Sequence, residues 1–301
     1  MQPLAPGALR LVHVSDSHLT GDGTLHQGVV DTTAALDRVL TEAGRVEGVR
    51  LLVGSGDLSD DGSSASYRQL RGRLDAWAAP RGAAVALVPG NHDLRAGFAE
   101  VFGGDPDAPL DRVVEVDGWR VIGLDTSVPG AGYGDLRPRQ LDLLRDLLAT
   151  PAARGTVLVL HHPPLPAPTT LHEALALRAP EALAAVIDGT DVRVVLAGHY
   201  HHHIVGDLAG VPVIVAPGVA NDTDVAAPEG TERAVRGSGF VVVDIEPMDV
   251  EPMDVEPGGG HVGGVRSTVV RVYDAHDGDE VFSLDRDTVE RIAAEAGPPR
   301  D

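Results

Sequence analysis

The sequence predicts an α/β fold in which two mixed β-sheets pack face to face and helices cover both outer faces. Three observations predict it. Short apolar runs recur along the chain, helical patterns separate several of them, and the later part is rich in strands with little helix between them. With 43% hydrophobic residues among 301, the chain can bury a sizeable core, and we expect a single domain over residues 1–301.

The strand predictions rest on runs that are nearly continuous in apolar residues, which is typical of strands covered on both faces. The predicted strands are residues 9–14, 49–53, 83–88, 120–124, 156–160, 192–196, 211–215, 239–245, 267–274 and 280–284. The last three follow one another without a helical pattern between them. A mixed two-sheet core explains this change better than a single doubly wound sheet.

The helix predictions rest on apolar residues that recur at helical spacing, as Val30, Ala34 and Leu40 do. The predicted helices are residues 29–43, 67–79, 138–148 and 174–187, with a short helix from 285 that ends at Gly297. Together the two sheets and the outer helices define a four-layer α/β/β/α sandwich.

Residues 246–263 differ in composition from the rest of the chain. The pentapeptide Glu-Pro-Met-Asp-Val at 246–250 is repeated at 251–255, and a glycine-rich stretch follows. A proline at every fifth position opposes helix and central strand alike. We therefore expect a mobile acidic loop at 246–263, and C-terminal strands with a short helix at 264–301.

The composition excludes several classes of function. The net charge of −21 argues against a nucleic acid polymer or an anionic membrane surface as partner. With no cysteine, disulfides, thiolate catalysis and Cys-based zinc sites are excluded. The first ten residues contain Pro3 and Pro6 and no long apolar stretch, and no later run is long enough to span a bilayer. We expect no signal peptide, no membrane span and a cytoplasmic location.

Five short motifs follow predicted strands and contain residues that bind metals. They are Asp16-Ser17-His18, Gly56-Asp57-Leu58-Ser59-Asp60, Gly90-Asn91-His92-Asp93, His161-His162-Pro163 and Gly198-His199-Tyr200-His201. Each motif alone is compatible with an ordinary turn or loop. Five of them at the carboxyl ends of strands, where open sheets place their ligands, predict one shared site. Oxygen and imidazole ligands for two adjacent metal ions, with one carboxylate to bridge them, indicate a two-metal hydrolase of phosphate esters.

On these motifs the chain resembles the calcineurin-like metallophosphoesterases over roughly residues 9–219. It is most similar to the bacterial class III cyclic nucleotide phosphodiesterases. The runs that carry this closer similarity are His13-Val14-Ser15-Asp16-Ser17-His18-Leu19, Leu124-Asp125-Thr126-Ser127-Val128-Pro129-Gly130 and Gly189-Thr190-Asp191-Val192-Arg193.

The resemblance implies seven metal ligands: Asp16, His18 and His201 for the first ion, Asn91, His161 and His199 for the second, and Asp57 as the bridge. Of the two adjacent imidazoles we choose His161, because it comes first after the strand and neighbouring side chains alternate. The mixed ligands suit two divalent or trivalent transition-metal ions, which are manganese, iron, zinc or cobalt, and do not suit calcium.

The resemblance also implies a mechanism in which metal-activated hydroxide attacks phosphorus in line. His92, next to Asn91, is then the candidate acid that protonates the leaving alkoxide. Asp60, three residues after Asp57, is the candidate carboxylate that orients His92. The alternatives are that His92 only positions substrate and that Asp60 is a helix cap or turn residue. We expect Asp93 to be a turn residue rather than a catalyst.

Two further features bear on the reaction. Position 61 is Asp, where phosphoprotein phosphatases of this fold usually carry an arginine, and nothing at Asp60 matches the tyrosine ligand of purple acid phosphatases. Both departures favour diester substrates. His202 and His203 extend the last motif, and we expect them to be solvated loop residues. A place in the substrate pocket or a weak extra metal site are the alternatives.

We therefore expect a metal-dependent phosphodiesterase for which 3′,5′-cyclic nucleotides, cyclic AMP above all, are the leading substrate. A glycerophosphodiesterase or a broad-specificity phosphodiesterase with the same site is the alternative within enzymes. A non-catalytic scaffold of this fold is the alternative of another class, and the filled ligand positions argue against it. The strands from residue 239 onward are candidates for a homodimer interface.

Overall fold

Two β-sheets of five and six strands form the centre of the structure, a computed structural model that describes residues 4–247 and 264–297. The strands are β1 (Leu9–Val14), β2 (Leu51–Ser55), β3 (Ala84–Val88), β4 (Arg112–Val116), β5 (Trp119–Leu124), β6 (Thr156–Leu160), β7 (Val192–Ala197), β8 (Ile204–Leu208), β9 (Val211–Val215), β10 (Asp222–Thr223), β11 (Glu232–Val235), β12 (Ser238–Ile245), β13 (Val265–Val272) and β14 (Glu280–Leu284). The helices are α1 (Thr32–Ala43), α2 (Ser64–Ala78), α3 (Arg95–Phe102), α4 (Pro138–Leu148), α5 (Thr170–Ala174), α6 (Pro180–Ile187) and α7 (Arg286–Ala296), and a 3₁₀ turn spans Ala79–Arg81.

Both large sheets are mixed. The first has the order β13-β12-β1-β2-β3, and the second has the order β4-β5-β6-β7-β9-β8. In the first sheet β1 pairs in parallel with β2, with Leu11 opposite Leu51, and antiparallel with β12, with Leu9 opposite Ile245. In the second sheet the four inner strands are parallel and the edge strands β4 and β8 are antiparallel to their neighbours.

The side chains of the two sheets form three apolar layers. Between the sheets lie the inner-face residues Leu11, Val53, Val159, Leu196 and Val241. The opposite face of the first sheet packs against α1, α2 and α3, and the opposite face of the second packs against α4 and α6. The predicted four-layer sandwich is thereby confirmed. Among the described helices, none combines the length and the apolar character that crossing a bilayer requires.

The elements differ from the sequence predictions in a few places. The helix predicted for 174–187 begins only at Pro180, because Ala179 is left-handed with φ 49°, and Ala174 is the last residue of the preceding helix α5. Helix α3, the edge strands β4 and β8, and strands β10 and β11 were not predicted. The predicted strand β14 pairs with β11 in a small third sheet of order β10-β11-β14. Residues 248–263, most of the predicted acidic loop, lie outside the described residues.

Candidate active site

The five motifs meet where β1, β2, β3, β6 and β7 end. Main-chain hydrogen bonds join the loops that follow these strands. Asp16 N donates to Gly56 O over 3.0 Å, and His18 N donates to Asp57 O over 2.9 Å. Within the second sheet, Gly198 N donates to His161 O over 2.9 Å. Between the two sheets, His199 N donates to Asp16 Oδ2 over 3.1 Å. The chain therefore brings the ends of both sheets to one place.

Asp16, His18 and His201 form the first group of donors, in which all three residues are buried and one ligand atom of each lies within 4.8 Å of the others. His18 Nε2 is 3.2 Å from His201 Nε2, and His201 Nε2 is 3.4 Å from Asp16 Oδ1. Asp16 also accepts hydrogen bonds from the backbone N of His199, at 3.1 and 3.2 Å. We call this group the first half-site.

Asn91, His161 and His199 form the second group, which we call the second half-site. His161 Nε2 is 3.1 Å from Asn91 Oδ1, and the rings of His161 and His199 are 5.1 Å apart. His199 Nε2 is 3.1 Å from the carbonyl O of Leu175, so Nδ1 is the ring nitrogen left for a metal. His162 is buried beside them, and its two nitrogens face the Thr126 hydroxyl at 2.8 Å and the Gly132 carbonyl at 3.1 Å.

Asp57 lies between the two half-sites. Its Oδ2 is 3.7 Å from His18 Nε2 and 3.4 Å from His161 Nε2. Its Oδ1 accepts a hydrogen bond of 2.8 Å from the backbone N of His92. The carboxylate therefore has the position that a bridging ligand needs.

The backbone at these positions is unusual. Nine non-glycine residues in the described ranges have positive φ, and five of them are among the seven predicted ligands: Asp16, His18, Asp57, His199 and His201. A left-handed conformation costs on the order of 1–3 kcal/mol for a non-glycine residue, and such positions cluster at functional sites. The left-handed backbone bends the chain after each strand, so that the ligand side chains point toward a common centre.

Two motif glycines make room for the ligands. Gly56 has φ 97°, and a Cβ there would overlap the His161 ring. A Cβ at Gly90 would overlap the Asp57 carboxylate and backbone. These glycines are required because the ligand side chains pass directly over the backbone.

Burial and mutual attraction set the charges of the cluster. Burial lowers the pKa of His18 and of His201 to about 4, so both rings are neutral at pH 7, which is the form that binds a metal. Burial alone would also lower the pKa of His161, but the carboxylates of Asp57 and Asp16 outweigh it and raise that pKa to about 9. A metal that binds His161 must therefore displace a proton.

The donor set fits a pair of metal ions. Bonds from imidazole or carboxylate to such ions are about 2.0–2.2 Å, so two ligand atoms of one ion lie roughly 3–3.5 Å apart. Four donor pairs of the cluster are separated by 3.1–3.4 Å, and Asp57 Oδ2 and His18 Nε2 are 3.7 Å apart. Among the described residues, the ion-pair contacts of Asp16 and Asp57 are with histidines only. Buried carboxylates without an arginine partner favour a bound cation.

The predicted catalytic pair has a different geometry from the one expected. His92 is the most exposed ring of the site, with 43% of its side chain accessible, and its Nδ1 is 3.6 Å from Asp60 Oδ1, beyond hydrogen-bond distance. The same Asp60 oxygen is 3.0 Å from His18 Nδ1, and the other oxygen is 3.2 Å from His26 Nδ1. Asp60 therefore contacts a predicted metal ligand more closely than it contacts His92.

The sequence did not predict the side-chain contacts of Asp93 and His26. Asp93 is 5% exposed and accepts hydrogen bonds from the backbone N of Leu58, Ser59 and Gly90 and from the Tyr67 hydroxyl. Its backbone N donates to Gly90 O over 3.3 Å and closes a turn, as expected, and its side chain in addition supports two motif loops. His26 carries no motif signal, because the loop that contains it must fold back before the ring can reach Asp60.

The extension of the last motif contacts protein rather than open solvent alone. His202 and His203 are both half-buried. His202 Nδ1 is 3.0 Å from Asp222 Oδ1, and His203 Nδ1 is 2.9 Å from the Val215 carbonyl. Asp61 accepts hydrogen bonds from Gly21 N and Ser63 N, so it joins two surface loops.

A two-sheet α/β sandwich with buried carboxylates and imidazoles at its strand ends defines a metal-dependent hydrolase of phosphate esters. The family model of the calcineurin-like phosphoesterases matches residues 9–203. The chain belongs to this family, as the sequence resemblance predicted. Membership implies a dinuclear metal centre and a hydrolase.

Two relatives agree with this membership, and one solved structure shares the fold. The cAMP/cGMP dual specificity phosphodiesterase of Mycobacterium tuberculosis is 40% identical over 259 residues, which cover 84% of this chain and 81% of the relative. The 3′,5′-cyclic adenosine monophosphate phosphodiesterase CpdA of Pseudomonas aeruginosa is 34% identical over 201 residues, or 66% of this chain and 72% of the relative. The purple acid phosphatase PPD1 from yellow lupin has a TM-score of 0.58 at 14% identity, covers 99% of this chain and 58% of its own, and shares the fold.

Proposed function

We propose that this protein hydrolyses 3′,5′-cyclic nucleotides, cyclic AMP above all, at a dinuclear metal centre. The observation that carries the proposal is the cluster of seven donor residues between the ends of the two sheets. The activities of the relatives at 40% and 34% identity support cyclic nucleotides as the substrate class.

The proposed ligands divide between the two half-sites. Asp16, His18 and His201 would hold one ion, Asn91, His161 and His199 would hold the other, and Asp57 would bridge them. When bound, the ions would activate a water molecule and polarise the phosphoryl oxygens. Asn91 contributes a neutral oxygen, so the ligand set contains only the carboxylates of Asp16 and Asp57. Two divalent ions then leave a local positive charge that attracts an anionic diester, despite the acidic surface of the chain.

His92 is proposed to supply the proton that the leaving alkoxide needs. Its backbone N is fixed by Asp57 Oδ1, while its ring is the most exposed of the cluster. The ring nitrogen remote from Asp60 would donate to the departing oxygen. Asp60 would influence this ring at longer range, since its nearest nitrogen is 3.6 Å away.

The metal identity, the oligomeric state and the location complete the proposal. Imidazole, carboxylate and amide donors suit manganese, iron, zinc or cobalt, and elemental analysis of the purified protein decides among them.

We propose a cytoplasmic homodimer in which strands from residue 239 onward contribute to the interface. Light scattering tests the dimer, and a monomer mass at every concentration would exclude it.

The decisive experiment compares three substrates on metal-reconstituted protein with the metal content measured in the same sample. The substrates are cyclic AMP, a glycerophosphodiester and bis(p-nitrophenyl) phosphate. Two bound metals with efficient cyclic AMP turnover would support the proposal. Two metals with fast aryl-ester cleavage but feeble cyclic AMP turnover would contradict the substrate and keep the chemistry. Release of free alcohol from the glycerophosphodiester as the dominant activity would favour a glycerophosphodiesterase.

A further inference from the structure

His26 lies directly behind the first half-site. It belongs to the loop between β1 and α1 and is 3% exposed. Its ring centroid is 4.7 Å from that of His18, and its Nδ1 is 3.2 Å from Asp60 Oδ2. The contact is off the axis of the ring N–H, so Nδ1 has no well-aligned hydrogen-bond partner although the carboxylate is close. Nothing in the five motifs assigns this histidine a role.

Asp60 is shared between the two rings. One oxygen is 3.0 Å from His18 Nδ1, and the other faces His26. A carboxylate oxygen accepts a hydrogen bond from an imidazole N–H, so the 3.0 Å contact with Asp60 favours the tautomer of His18 that carries its proton on Nδ1. His18 Nε2 then has its lone pair free for a metal ion held with Asp16 and His201.

The small third sheet holds His26 in place from the other side. The backbone of His26 and Val30 forms two hydrogen bonds, from His26 N to Val30 O at 2.9 Å and from Val30 N to His26 O at 3.0 Å. Val30 is buried against Ala234 of β11 and Val281 of β14. Arg236 also donates to the Val29 carbonyl over 2.8 Å. Residues near the C-terminal end of the described chain therefore fix a loop near its start.

We propose that His26 is a positioning residue for the first half-site. It holds Asp60 against His18, and Asp60 holds His18 in the tautomer whose Nε2 binds metal. This inference rests on the proposed dinuclear site and extends it to a residue outside the ligand set. It also assigns the β10-β11-β14 sheet a function, because that sheet anchors the loop through Val30.

The first test measures the binding of Mn²⁺ alone, by calorimetry and by elemental analysis after dialysis, in wild type and in His26→Phe. The phenyl ring keeps the bulk of the side chain and removes its nitrogens. We expect affinity at one of the two sites to fall about 10- to 100-fold, the usual effect of losing an outer partner of a metal ligand. We expect the other site to be unchanged. Equal loss at both sites, or no loss at either, would overturn the proposal.

Two matched variants separate positioning from general damage. His26→Gln retains a side-chain donor and should recover part of the affinity that His26→Phe loses. His276→Gln changes an exposed histidine that is not part of the cluster and should bind Mn²⁺ as wild type does. No recovery in His26→Gln, with both proteins folded by circular dichroism, would contradict a role that depends on the ring nitrogen.

A spectroscopic readout reports the tautomer directly. Nitrogen-15 NMR of histidine-labelled protein should show His18 protonated on Nδ1 in wild type and mixed between Nδ1 and Nε2 in His26→Phe. An unchanged His18 tautomer in that variant would refute the mechanism even if affinity fell. Because neither Mn²⁺ binding nor the tautomer involves a substrate, failure of cyclic nucleotide turnover would leave this test intact.

The anchor in the third sheet has its own test. Val30→Ala removes buried methyl groups without touching any polar group of the cluster. We expect it to weaken the same Mn²⁺ site as His26→Phe does, by less than that variant. Weakening of the other site would contradict the proposed anchor. An unchanged affinity together with a lower melting temperature would show that the third sheet serves stability alone.

Discussion

The two half-sites have different surroundings. In the first, His18 is backed by the Asp60 carboxylate at 3.0 Å. In the second, His161 Nδ1 and His199 Nε2 face the carbonyls of Ser55 at 2.8 Å and Leu175 at 3.1 Å. A carboxylate behind a ligand ring increases its basicity more than a neutral carbonyl does. Negative charge therefore accumulates around the first half-site, and we expect it to hold its ion more tightly than the second.

The largest effect is expected from the residue that belongs to both halves. Asp57→Ala should release both ions and reduce turnover to background, because Asp57 alone among the seven predicted ligands has its carboxylate oriented toward both His18 and His161. Elemental analysis and cyclic AMP hydrolysis in one sample measure this. Two tightly bound metals in the variant would show that the bridge is assigned to the wrong residue.

A matched pair of variants tests the asymmetry itself. His18→Ala should remove the tightly held ion, and His161→Ala should remove the one that dialysis extracts more readily. Each should lower turnover by more than the about 10- to 100-fold typical of an outer partner. Metal-release rates into a chelator distinguish the two sites. Identical release kinetics for both wild-type ions would remove the basis of the comparison.

His92→Ala should act on chemistry and spare both ions. We expect turnover of alkyl and cyclic esters to fall by about 10²–10⁴, the range of general acid catalysis, and activated aryl esters to fall much less. The measurement is a series of esters that differ in leaving-group pKa, with metal content as the control. Equal slowing of every ester would indicate that His92 only positions the substrate.

The smallest effect is expected from a change at Tyr67, whose partner Asp93 supports the motif loops of both half-sites. Tyr67 donates to Asp93 over 2.8 Å, and burial raises the pKa of Tyr67, so the phenol keeps its proton. Tyr67→Phe should lower the free energy of unfolding by about 1.5–3 kcal/mol, the value of a hydrogen bond to a charged group. Urea unfolding measures it. Both ions should remain bound. Loss of one ion would show that Asp93 supports one half-site rather than both.

Much of the fold followed from the sequence, because buried strands leave a clear apolar pattern. The bounds of β1, β6, β9 and β14 were predicted to the residue, and the helix at 138–148 likewise. The edge strands β4 and β8 were missed, because exposed positions interrupt the apolar run of an edge strand. In the third sheet β14 was predicted, whereas β10 and β11 were missed because they are only 2 and 4 residues long.

The candidate site was predicted less evenly. The motifs brought the ligand candidates together because each follows a strand, and strand ends converge at the edge of a sheet. The left-handed backbone at Asp16 and His199 could not be foreseen, since asparagine, aspartate and histidine tolerate it without requiring it. The sequence also could not decide which imidazole contacts Asp60, because the motifs place both His18 and His92 at the same site. Only the folded loops decide between them.

The pairing of β1 with β12 has a consequence for the order of events during synthesis. Leu9 and Ile245 are opposite one another, and His201 completes a group that begins at Asp16. When the first motif has emerged from the ribosome, neither strand β12 nor His201 has yet been made. We therefore expect the proposed metal site to take up its ions at the end of translation or after it.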